Sequence, residues 1–139
     1  MAQSPNRLIG TIVGAAYLLV GILGFTVTAG TGFLAPRGGL LFGLLEVNGL
    51  HNVVHILIGA ALLLASLSSA RAATTVNAVV GAACLVLGLA GLFLVGSPFN
   101  ILAVNVADNV LHFGTASVLL AVGLGAQEKR SPSDGMPAA

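Results

Sequence analysis

His51, His55 and His112 are the chain's only histidines, and all three fall in two eight-residue windows of one pattern. Asn48-Gly49-Leu50-His51-Asn52-Val53-Val54-His55 and Asn105-Val106-Ala107-Asp108-Asn109-Val110-Leu111-His112 both read N-x-x-[HD]-N-x-x-H. On a helix that turns about 100° per residue, the four polar positions of each window stay within an arc of about 100°. Imidazole and carboxylate groups are ordinary ligands of first-row divalent metals. His51 with His55, and Asp108 with His112, form two i, i+4 pairs that suit zinc or a related ion if they converge. The asparagines would then orient the ligands. A second chemistry uses only the matched pair His55 and His112, which could ligate a haem iron from opposite faces. A third needs no ligand. Asn48 and Asn105 read as N-caps with His51 and Asp108 at the third helical position, close to a capping box. Asn48, Asn52, Asn105 and Asn109 then form a polar clasp, with interhelical hydrogen bonds worth about 0.6 to 2 kcal/mol each. From sequence the clasp leads, and the metal and haem readings stay open.

The elements that carry these windows follow from composition. Of 139 residues, 57% are hydrophobic and 6% are charged, against about 25% charged in an ordinary soluble domain. A globule of this size buries only about two thirds of its chain surface, too little to hide so much Leu, Val, Ala and Gly. Mean hydropathy of +1.06 also excludes a disordered chain. The chain is therefore read as an integral membrane protein with the lipid bilayer as its solvent. Four stretches approach the roughly 20 apolar residues that a span needs: Leu8–Val27, His51–Leu67, Val76–Val95 and Asn109–Ala126. Helices are expected, because open strands cannot satisfy their backbone in lipid. The intervening segments are Thr28–Val47, a short turn over Ser69–Thr75, and a loop over Gly96–Asn105.

Orientation follows from basic residues near the span ends. Arg7, Arg71, Lys129 and Arg130 lie on one side and Arg37 on the other, which places both termini in the cytoplasm of a cell-membrane protein. Residues 1–7 are then a cytoplasmic N-terminus and 127–139, without periodicity, a disordered cytoplasmic tail. Val27-Thr28-Ala29 resembles a signal-peptide cleavage site, but the preceding apolar run is longer than an ordinary signal core, so the first span is expected to be retained. A net charge of +1 excludes the basic stripe of a nucleic-acid binder. One cysteine, Cys84, cannot form an internal disulfide.

The two windows belong to a longer duplication. Val13-Gly14-Ala15-Ala16-Tyr17-Leu18 matches Val80-Gly81-Ala82-Ala83-Cys84-Leu85, and Gly14 and Gly21 match Gly81 and Gly88. The expected fold is an all-α four-helix bundle over residues 8–126. It is a tandem repeat of a two-helix hairpin, about 8–69 and 76–126. Each unit crosses the bilayer twice, so the pseudo-two-fold axis should run along the membrane normal. In an up-down-up-down bundle the second and fourth helices are diagonal, and their polar stripes should face each other, since lipid would not solvate them.

The four-span layout and the duplicated N-x-x-[HD]-N-x-x-H stripes resemble the bacterial membrane proteins grouped as domain of unknown function 4383. The likeness runs over about Asn6–Ala126 and places the family's Asn and His positions at Asn48, His51, Asn52, His55, Asn105, Asp108, Asn109 and His112. It implies the topology and no activity. No nucleophile with an adjacent base is visible, so an enzyme is not expected. The expected role is a non-enzymatic accessory or scaffold subunit with a membrane-protein partner or a second copy. A metal- or haem-binding protein and a small oligomeric transporter are the alternatives.

Overall fold

The computed structural model describes residues 4–125. The expectations for 1–3 and for the tail after 125 lie outside the described residues. Four helices dominate: α1 (Pro5–Gly24), α2 (Gly49–Ser68), α3 (Ala70–Leu94) and α4 (Val106–Gly125). Each is long and apolar enough to cross a bilayer, so this is a multi-pass membrane protein. Pro5 opens α1, where its missing N–H costs nothing. The side chains of Asn48 and Ser69 cap α2 and α3 by accepting from His51 N at 2.9 Å and Ala72 N at 3.0 Å.

Two connections differ from expectation. The turn over Ser69–Thr75 shrinks to Ser69 alone, because this extended residue closes α2 and caps α3. The Ala-Arg-Ala-Ala that follows has high helix propensity, so α3 starts at once. Within Thr28–Val47, β1 (Gly39–Leu41) and β2 (Leu45–Val47) form an antiparallel hairpin. Phe42 and Gly43 have φ of 55° and 68° at its tip, and Leu44 N–H donates to Leu41 O at 3.1 Å. Those are the φ signs of the tight turns that match strand twist.

α1 packs most extensively along α2, and α3 along α4, while α2 and α4 stay apart at backbone level. Gly14 and Gly59 set the first approach. A Cβ on Gly59 would meet Leu18 N at 2.5 Å and Gly14 O at 2.7 Å, so the backbones touch there. The bundle centre holds Tyr17, Leu62, Val80, Cys84, Ala116 and Leu119. Polar residues lie above and below this layer. At the end carrying the hairpin they are the histidine windows. At the other end, which carries Ser69, Asn6 Nδ2 donates to Val122 O at 2.9 Å, and Asn77 Nδ2 donates to Asn6 O and Oδ1 at 3.0 and 2.9 Å.

Candidate functional site

The cap at Asn48 places His51 in the first turn of α2, and His55 follows one turn deeper on the same face. His112 reaches the same space from α4. Ring centroids lie 4.3 Å apart for His51–His55, 5.9 Å for His51–His112 and 6.4 Å for His55–His112. One nitrogen from each ring can be chosen so that all three lie within 4.8 Å of one another. The three residues are 1–2% exposed, so both stripes point inward. Both nitrogens of His51 and His55, and Nδ1 of His112, are buried without a hydrogen-bond partner. The Tyr17 and His55 ring centroids lie 5.0 Å apart in a T-shaped arrangement, and the Tyr17 hydroxyl donates to Thr115 Oγ1 at 2.9 Å and contacts Cys84 Sγ at 3.8 Å.

Asp108 is not part of the imidazole group. Its Oδ2 accepts from Asn105 N at 2.9 Å while Asn105 Oδ1 accepts from Asp108 N at 3.0 Å, a reciprocal capping box. The same Oδ2 also accepts from Glu46 N of β2 at 3.2 Å, which ties α4 to the hairpin. Asp108 Oδ1 is buried and unpartnered.

The asparagines divide into two kinds. Asn48 Nδ2 donates to Ala35 O at 2.9 Å and to Ile101 O at 2.8 Å, and Asn105 Nδ2 donates to Leu44 O at 2.8 Å. Each window thus reaches the loop that precedes the other. Asn52 and Asn109 instead press their Oδ1 atoms into the notches left by Gly24 and Gly91, where a Cβ would collide with them. Asn52 Nδ2 also donates to Thr28 Oγ1 at 3.2 Å.

A family model described as Domain of unknown function (DUF4383) matches residues 7–125. The chain belongs to that family. No curated protein and no solved structure matches it. The DUF4383 match ends at the last residue of α4 and takes in every residue of the cluster.

Three site features of this DUF4383 protein escape sequence reading. Glu46 enters through its backbone, which no motif reveals. Asn100 shapes the second loop by donating to Val104 O at 2.9 Å and accepting from Val104 N at 3.0 Å. Tyr17 belongs to the bundle core and also forms a wall of the histidine site. Beside the Asp108 network a cavity of about 640 Å³, lined by Arg37, Glu46, Asn100 and Asn105, opens at the hairpin end.

Proposed function

We propose that this membrane protein holds a first-row divalent metal ion, zinc foremost, on His51, His55 and His112. One observation carries the reading: among the described residues, five imidazole nitrogens of the three rings are buried without a well-formed hydrogen bond. An unpaired buried polar atom costs about 1 to 3 kcal/mol, so a purely structural cluster would be expected to pair them. A metal uses one nitrogen per ring and leaves the other as an N–H donor. Backbone carbonyls of Glu46 and Leu102 stand beside His51 to take that role. The nitrogens need to close from within 4.8 Å to the roughly 3.3 Å of a tetrahedral site with Zn–N near 2.0 to 2.1 Å, a matter of side-chain rotation.

On this reading Asp108 positions α4 and is not a ligand. The packing also speaks against haem. The three centroid distances put the His51 ring about 4 Å off the line joining His55 and His112, inside the footprint of a macrocycle between them. Ligands that are 1–2% exposed offer a substrate no approach, which supports a non-enzymatic role with the metal structural or carried.

A second reading keeps the accessory or scaffold subunit. It draws on the crossed hydrogen bonds Asn48 to Ile101 and Asn105 to Leu44, a clasp that leaves the histidines free for the metal. Those crossed bonds also support descent from a duplicated hairpin, since each window repeats the other's contact. Transport is less well supported, because Leu62 and Leu119, both fully buried, close the axis below the histidines. The basic residues favour a cell-membrane protein with cytoplasmic termini. Single cysteines at Ser69 and Phe42, against the buried Cys84, should label from inside and outside respectively.

The metal test is direct. Protein purified in detergent should carry one metal per chain by elemental analysis, and cobalt(II) should give a visible ligand-field spectrum. His51→Ala, His55→Ala and His112→Ala should each abolish both. Folded protein that takes up neither zinc nor cobalt would overturn the reading.

A further inference from the structure

Asn52 and Asn109 occupy matching positions in the two windows, and each presses Oδ1 against a glycine of the neighbouring helix. They differ in what receives the amide N–H. Asn52 donates to Thr28. Among the described residues nothing accepts from Asn109 Nδ2, although Asn109 is only 6% exposed. The residue standing 67 positions after Thr28, the offset that relates Val13 to Val80, is Val95, which has no hydroxyl. Val95 and Asn109 share the wall of a side cavity of about 380 Å³, completed by Leu92, Val106, Val110 and Phe113. Most of that wall is lipid-facing and apolar.

We propose that this cavity binds one acyl chain of a membrane phospholipid, with the chain's ester carbonyl accepting from Asn109 Nδ2. Depth selects this ligand. α4 has 20 residues, about 30 Å, the thickness of the hydrocarbon core. Asn109 is its fourth residue, so the amide lies about 4.5 Å inside the boundary, near the glycerol ester linkages. The wall supplies apolar contact for the chain and one polar group to fix its register, the usual composition of a small-molecule site. In the first half the hydroxyl of Thr28 does what the lipid carbonyl does in the second.

The comparison supplies its own variants. Delipidated protein is reconstituted with diester phosphatidylcholine or with its diether analogue, which lacks the carbonyl, and retained lipid is counted by native mass spectrometry. The unaltered chain should keep one diester molecule and about tenfold less diether, the loss expected for one buried hydrogen bond. Val95→Thr gives Asn109 an internal acceptor and should lower diester retention about tenfold while thermal stability holds. Thr28→Val frees Asn52, but Asn52 is fully buried and lines no such cavity, so retention should stay at one. Equal retention of diester and diether overturns the proposal without any mutation. So does Val95→Thr retaining lipid as the unaltered chain does, or a co-purified molecule other than phospholipid that diester lipid fails to displace.

Discussion

The two polar clusters of this bundle are alike in burial and opposite in how they use their atoms. At the Ser69 end, Asn6 and Asn77 are at most 1% exposed, and their amide groups are spent on Val122 O, Asn6 O and Asn6 Oδ1. Arg7 Nε donates to Ser66 O at 2.7 Å, so all four helices are tied there. Among the described residues, Ser66 Oγ and Asn77 Oδ1 are left over, both facing Gly10. At the hairpin end the asparagine caps are equally well used, but five of the six imidazole nitrogens lack a well-formed hydrogen bond among the described residues. Polar burial therefore does not by itself mark a functional site. What separates a fastening from a binding site is how many buried valences the protein leaves unfilled.

Removing a ligand and a fastener in turn should give the largest and most different effects. His55→Ala should abolish metal binding and the stabilisation that goes with it, about 4 kcal/mol when free metal stands a thousandfold above Kd. Thermal unfolding with and without chelator should then coincide for this variant and differ for the unaltered chain. Asn77→Leu should act oppositely. It leaves buried Asn6 oxygens unpaired and should lower stability by about 2 kcal/mol, equally with and without metal. The two substitutions should be additive in a double-mutant cycle, and coupling between them would show that the ends act as one unit.

Smaller effects sharpen the picture. Asp108→Asn keeps one acceptor oxygen and should cost about 1 kcal/mol while metal stoichiometry stays at one. Loss of the metal in this variant would move Asp108 from anchor to ligand. Smallest is Phe42→Gly. Phe42 is 72% exposed with φ of 55°, so glycine relieves backbone strain and should stabilise by about 0.5 kcal/mol. Titration with zinc should give an unchanged affinity.

Much of this arrangement is legible in the sequence, and the rest is hidden for identifiable reasons. The histidine windows stand out because an N-x-x-[HD]-N-x-x-H pattern recurs in a chain with few polar residues. The spacing of Asn105 and Asp108 announces their capping box, and the structure contains it. The hairpin is silent because its strands are only three residues each, Gly39–Leu41 and Leu45–Val47, too short for an alternation such as Leu45-Glu46-Val47 to register as a strand. The early start of α3 is masked by Arg71, Thr74 and Thr75, which dilute the apolar run. Asn6 and Asn77 are isolated in sequence. The available sign was that Asn77 takes the place matching Gly10, a polar residue where the other half has none.

Ser69 alone joins α2 to α3, and this limits how the molecule can deform. Moving one helix past the other by a full turn requires about 5.4 Å of slack. A single extended residue spans about 3.4 Å in total. A ratchet between the two halves is therefore barred at that end, where Arg7 and Asn77 add further restraints. The hairpin end has generous connectors, residues 25–48 and 95–105. The halves pivot at Ser69, and an ion reaching the histidines at the other end would first have to part the crossed bonds from Asn48 to Ile101, from Asn105 to Leu44 and from Glu46 N–H to Asp108.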